Sequence, residues 1–212
     1  DTGTHWTLFG QGVILALIQL GGFGMMTAAS LLAMLVNAPL RSRSRLLLQA
    51  ETHALALGDV RSVARLVLGV TVVVEAAATL VLAARFALGH GMAWREALWQ
   101  GLFHAVSAFN NAGFSTWPDS LMRFVADPGV LLPVMLAIVV GGLGFPVLHE
   151  LLLRRRRRVR LSLHARLTLQ ATLLLLLAGF AAVLASEWHN PRTLGGLDFG
   201  ARLWAAAFAS VS

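Results

Sequence analysis

The sequence predicts an all-α membrane protein assembled from repeated helix–loop–helix units, and three observations predict it. Apolar residues make up 57% of the 212 and charged residues only 13%, against about 45–50% and about 25% for a soluble domain. Long apolar runs recur along the chain. Two short motifs also recur at fixed offsets, which marks an internal repeat.

A spanning helix needs about 20 predominantly apolar residues. Four stretches meet this: Leu8 to Val36, Ala64 to Ala84, Val130 to Leu153, and Leu167 to Leu184. Mean hydropathy over the chain is +0.73, in keeping with a partly lipid solvent. Pro146 falls inside the third stretch and should bend it.

Two weaker apolar stretches remain. Ala93 to Phe109 is amphipathic and short, and it ends in Asn110-Asn111-Ala112-Gly113-Phe114. A short helix that breaks into irregular backbone is tolerated at membrane depth only where protein buries it or water lines it. The other stretch, Phe199 to Ser212, begins a similar pattern.

Charge placement gives a direction. All 17 basic residues are Arg, and seven lie between Arg154 and Arg166. Arg41, Arg43, Arg45 and Arg61 follow the first stretch. Arg85, Arg95, Arg123, Arg192 and Arg202 fall on the opposite side. Basic loops stay cytoplasmic, so the first and third stretches run inward and the second and fourth outward. The net charge of +7 therefore reads first as a cytoplasmic flank, and second as a binder of anionic lipid or of a cytosolic regulator, and not as a nucleic-acid surface.

Other classes are excluded. Without Cys there are no disulfides or thiolate sites. Without Lys there is no Walker-type phosphate loop or Schiff base. The seven His are scattered, and His149-Glu150 lacks the second His of a zincin helix, since position 153 is Leu. The start Asp1-Thr2-Gly3 has no basic leader and reads as the middle of a longer protein.

The repeats define the unit. Gly21-Gly22-Phe23-Gly24 returns as Gly141-Gly142-Leu143-Gly144. Leu98-Trp99, Phe103 and Val106-Ser107 return as Leu203-Trp204, Phe208 and Val211-Ser212. The unit is outward helix, short helix, irregular loop, inward helix. Residues 1–36 close one unit with its inner helix, and 37–63 form a cytoplasmic linker helix. Residues 64–153 are a complete unit with short helix 93–109, loop 110–114 and inner helix 130–153. Residues 154–166 are a basic cytoplasmic loop, and 167–212 open a third unit. A loop that enters and leaves from the outer face turns its carbonyls away from lipid. Rings of backbone carbonyls are one way cation filters replace an ion's hydration shell.

The string Phe103-His104-Ala105-Val106-Ser107-Ala108-Phe109-Asn110-Asn111-Ala112-Gly113-Phe114 resembles the second pore loop of the Trk/Ktr/HKT potassium-transporter family. Ile18-Gln19-Leu20-Gly21-Gly22-Phe23-Gly24-Met25-Met26-Thr27 resembles that family's first inner helix, and Asp1-Thr2 the segment after its first pore loop. The resemblance implies helix–pore-loop–helix repeats around a pseudo-fourfold, cation channel-like pore. It implies potassium uptake, no enzymatic activity, and K+ or Na+ as the transported ion with no covalently bound cofactor. It also implies a homodimer, a cytosolic nucleotide-binding regulatory subunit of the RCK/KTN type, and a multi-pass place in the plasma membrane, the inner membrane of a bacterium. The rival readings are a non-catalytic helical subunit of a larger membrane complex and a membrane-embedded enzyme.

Residue roles follow from the same resemblance. Asn110, Asn111, Ala112, Gly113 and Phe114 form the selectivity filter. Backbone oxygens of Asn111, Ala112 and Gly113 contact K+, and Phe114 packs behind the loop; the plainer reading of Gly113 is a turn glycine after a helix. Gly21, Gly22, Gly24, Gly141, Gly142 and Gly144 permit close helix approach. Glu75 is an ionisable group at mid-span, where such groups face the protein interior. It resembles a structural anchor that hydrogen-bonds the short helix or the loop. His104 reads as a hydrogen-bonded residue of the short helix.

Overall fold

A computed structural model of the chain describes residues 2–36, 53–157 and 161–212. All regular structure among them is helical. In order come α1 (Thr2–His5), α2 (Leu8–Val36), α3 (His53–His90), α4 (Trp94–Phe109), a 3-10 turn (Met122–Phe124), α5 (Pro128–Leu143), α6 (Phe145–Arg157), α7 (Leu163–Glu187) and α8 (Phe199–Val211).

Among the described residues three helices are long and apolar enough to cross a membrane: Leu8–Ala28 in α2, Ala64–His90 in α3, and α7. Length and uniform apolarity explain them. Leu173, Leu174, Leu175 and Leu177 of α7 are all exposed, although they point to different sides of the helix. A helix apolar all round belongs in lipid or against further protein.

The stretch from Val130 to Leu153 is two helices and not one. α5 and α6 meet at a bend of 100°. The break sits at Gly144, whose φ of 77° and ψ of 153° no α-helix accommodates and which glycine adopts without penalty. Pro146 lies two residues further, inside the first turn of α6, where a missing N–H costs nothing. So the glycine makes the bend and the proline starts the next helix.

The linker helix expected over 37–63 has no end of its own where it is described: α3 runs unbroken from His53 to His90. Residues 37–52 lie outside the described residues, as do Arg158 and Arg160 of the basic loop. After that loop, Glu150 of α6 accepts hydrogen bonds from Ser162 N–H and Oγ at 2.8 and 2.7 Å. Ser162 in turn caps α7 by accepting from Ala165 N–H. Glu150, next to His149, thus serves a helix start.

The core lies around α4. Leu82 and Phe86 of α3, Ala97, Ala105 and Phe109 of α4, Trp117 and Phe124 of the following loop, and Val130 and Val134 of α5 are buried together. Small residues let α4 lie close on α3. A Cβ on Gly101 would stand 2.8 Å from the Thr79 carbonyl oxygen and 3.0 Å from Ala83 N. In lipid such contact replaces the hydrophobic drive as the source of association. The pair α7 and α8 repeats the device with the glycine on the long helix. Gly179 faces Ser210, whose hydroxyl donates to the Leu176 carbonyl at 2.7 Å.

Candidate functional site

The C-terminal end of α4 is a Schellman cap. Asn111 takes φ of 53°. Its N–H donates to the Ala108 carbonyl at 3.1 Å, and Ala112 N–H reaches back to the Ser107 carbonyl at 2.9 Å. The left-handed cap residue is therefore Asn111, one of the few non-glycine types that tolerates it. Gly113, two residues on, has its own positive φ of 72°. Among the described residues nothing lies within 4 Å of where its Cβ would stand. Gly113 is thus required for its dihedral and not for space, and it is not the turn glycine that ends the helix.

Beyond the cap the backbone carbonyls fall free. Among the described residues, those of Asn110, Asn111, Ala112 and Gly113 accept no hydrogen bond. The run stops at Phe114, whose carbonyl accepts from Ser107 Oγ at 2.7 Å. Four consecutive unpaired carbonyls are uncommon, because a backbone acceptor without a partner is costly away from water. The Phe114 ring is 47% exposed. It borders a pocket that also touches His104, Ser107 and Phe208, and its backbone carbonyl ties back to α4.

Asn110 joins three helices. Its Nδ2 donates to Glu75 Oε1 at 3.0 Å and to the Val106 carbonyl at 2.9 Å, with Gln19 Oε1 at 3.4 Å. Glu75 is buried on α3 and finds its partner at the end of α4. Asn110 Oδ1 is buried without a hydrogen-bond partner among the described residues, pressed against Gly22 of α2.

The six glycines divide by what they face. A Cβ on Gly22 would collide with the Asn110 side chain, and one on Gly141 with the Phe109 backbone carbonyl. These two hold the end of α4 between α2 and α5. They are not the same member of the repeated motif. Gly21 and Gly24 meet nothing within 4 Å, and Gly142 meets only Asn111 Nδ2 at 3.9 Å. Among the described residues the close approach expected of all six is made by two, and Gly144 acts through its dihedral.

The loop's exit is tied as well. Thr116 hydrogen-bonds Gln100 through its hydroxyl, and its carbonyl leaves no room for a Cβ on Gly3 of α1. Trp99 Nε1 donates to Gln11 Oε1 of α2 at 3.1 Å. On the far side of the loop, Asp127 caps α5 through Gly129 N–H at 2.9 Å. It also accepts from Arg85 Nε at 2.9 Å and meets His90 Nε2 at 2.7 Å. Sequence reasoning missed this clasp, although Asp127-Pro128 is a cap-and-first-turn signature. It also missed Gly101, which no motif marked.

A short buried helix ending in free carbonyls, held among long apolar helices, defines a multi-pass helical membrane protein. The family described as TrkH, cation transport protein, matches residues 4–212, and the chain belongs to that family. It is 41% identical over its full length to the Ktr system potassium uptake protein B of Bacillus subtilis, covering 47% of that protein. It is 35% identical to the Ktr system potassium uptake protein B of Vibrio alginolyticus and 33% to the potassium/sodium uptake protein NtpJ of Enterococcus hirae, in each case over the full chain and 46% of the relative. The chain spans about half the length of the curated relatives it matches. These relatives are named as transport proteins, not enzymes.

Proposed function

We propose that residues 110–114 are one quarter of a cation selectivity filter in a potassium-uptake protein. The carbonyls of Asn111, Ala112 and Gly113 replace water around a dehydrated K+. One observation carries this reading: four successive carbonyls, Asn110 to Gly113, stand free between two fixed points, the Schellman cap and the Phe114 carbonyl held by Ser107. A backbone arranged this way has acceptors for a cation and no other described partner for them.

The remaining filter segments belong to further units of the same kind, and 64–153 is one such unit. In this reading the C-terminal end of α2 and the Arg-rich end of α6 face the cytoplasm. There a homodimer and a cytosolic nucleotide-binding subunit would regulate the pore. The relatives named as parts of a Ktr system support a multi-subunit assembly.

The test is Gly113→Ala in the full-length protein, expressed in cells lacking their own potassium uptake. A Cβ in the left-handed region costs about 1–2 kcal/mol, enough to move the loop and not enough to unfold the protein. Surface-inserted variant protein should show lost uptake or a lowered K+ to Na+ ratio. Uptake and ratio equal to the parent's would sink the filter reading.

A further inference from the structure

Behind the free carbonyls lies a second layer of polar contacts with a single consistent proton order. His104 is buried in α4, 3% exposed. Its Nδ1 lies 2.8 Å from the Gln100 carbonyl oxygen, which can only accept, so Nδ1 carries the proton. Nε2 is then an acceptor in the neutral ring. At 2.9 Å from it stands Ser115 Oγ, which must donate. That hydroxyl oxygen also accepts from Trp117 N–H at 3.1 Å. The order is therefore Trp117 N–H to Ser115 Oγ–H to His104 Nε2, with His104 Nδ1–H to Gln100. The imidazole lies flat on the Trp117 indole, with centroids 4.4 Å apart and planes 22° apart, so the ring cannot turn without unstacking.

These contacts bracket the loop. Ala112 N–H is fixed by the cap, the Phe114 carbonyl by Ser107, and the Ser115 hydroxyl by His104. Beside the same segment is a partly open pocket of about 290 Å³, lined by His104, Ser107, Gly113, Ser115, Phe208 and Ser212 among others. Its volume equals several waters at about 30 Å³ each. Where open space adjoins a loop, packing on that side does not define its position and hydrogen bonds must.

Resting on the filter reading above, we infer that His104 and Ser115 are positioning residues. Their hydrogen bond sets how far the carbonyls of Ala112 and Gly113 stand forward, and so how well they discriminate K+ from Na+. Neither residue touches the ion. Functional constellations hold their geometry within about 0.5 Å through such supporting contacts. Loss of this one lets the segment recede and relaxes selectivity before it abolishes transport.

The experiment compares five variants of the full-length protein in cells lacking their own potassium uptake, with K+ and Na+ uptake measured separately. His104→Asn places its amide at the level of Nδ1 and cannot reach Ser115. Ser115→Ala removes one oxygen. Each should lower the K+ to Na+ ratio by about two- to tenfold, the equivalent of one hydrogen bond. The two together should be no worse than either. His104→Gln presents an oxygen near the place of Nε2 and should restore most of the ratio. If His104→Asn does not insert, the single-atom change Ser115→Ala carries the test. An unchanged ratio in Ser115→Ala, or equal loss of both ions, overturns the inference. Gly113→Ala separates the two levels: should it shift the ratio while Ser115→Ala does not, the filter reading stands and the role of His104 and Ser115 falls. If Gly113→Ala leaves both uptake and ratio equal to the parent's, the filter reading itself falls.

Discussion

Gly141 of α5 lies so close to the backbone carbonyl of Phe109 that no β-carbon fits between them. The obstacle is backbone at the last turn of α4, not a side chain that can swing aside. Whatever moves α5 therefore moves the start of the 110–114 loop.

This gives the first prediction. Gly141→Ala should displace the end of α4 and cost about 1–3 kcal/mol, the range for overpacking a close contact. Gly24→Ala, which meets nothing within 4 Å among the described residues, should be neutral or slightly stabilising through helix propensity. Thermal melting of the detergent-solubilised full-length protein distinguishes them. Equal melting temperatures for the two variants would mean that the contact carries no strain.

A second prediction concerns the buried carboxyl. Glu75→Gln keeps an oxygen to accept from Asn110 Nδ2 and should hold stability within about 1 kcal/mol of the parent, the worth of a typical hydrogen bond. Glu75→Leu removes that acceptor and should cost about 1–3 kcal/mol, the penalty for stranding a buried polar group. The outcome that refutes the anchor role is a Leu variant as stable as the Gln variant.

How much of this was legible in the sequence depends on the kind of contact. The boundaries of α2 agree with the apolar run Leu8 to Val36, and α7 extends the run Leu167 to Leu184 by a turn at its start and three residues at its end, because lipid-facing helices write their length in composition. The break at Gly144 was foreshadowed only by Pro146, since a φ/ψ pair is not a residue type. Glu75 was conspicuous as a charge inside an apolar run, but its partner Asn110 lies 35 residues away and no local pattern links them. The division of six similar glycines into two pressed against α4 and four that are not depends on which helix lies opposite. The His104–Ser115 bond joins two ordinary-looking residues across a loop whose path the sequence does not state.

The third prediction is a pH dependence at the Asp127 clasp. Burial alone would push the Asp127 carboxyl up. Hydrogen bonds from Arg85, His90 and the Gly129 N–H outweigh it and hold the carboxyl below its ordinary value of 3.8. A depressed carboxylate contributes stability that is present above its unfolded value and lost as pH falls through the folded one. The clasp's contribution from Asp127 should therefore be constant from neutral pH down to about 4 and disappear below that. Arg85 is nearly half exposed, so solvent screening limits the contribution to about 1 kcal/mol or less. Asp127→Asn, which retains an oxygen for Gly129 N–H, should melt slightly below the parent at pH 7. Below pH 3.8 the two should converge. A gap that persists in acid would show that the carboxylate charge is not what stabilises the clasp.

The fourth prediction turns on Asn111, the left-handed residue of the Schellman cap. Glycine reaches φ of 53° without a steric cost, so Asn111→Gly should keep the cap and the melting temperature. Asn111→Val places a β-branched side chain where it is most strained and should cost at least about 1–2 kcal/mol. The Asn111 amide contributes little to the comparison, because its contacts with the Phe109 and Ile138 carbonyls are at 3.5 Å, the weak end of hydrogen bonding. The two substitutions therefore differ mainly in backbone preference. If Val were tolerated as well as Gly, the cap would not be what ends α4. The free carbonyls of Asn110 to Gly113 would then lack the fixed point on their N-terminal side from which their positions follow.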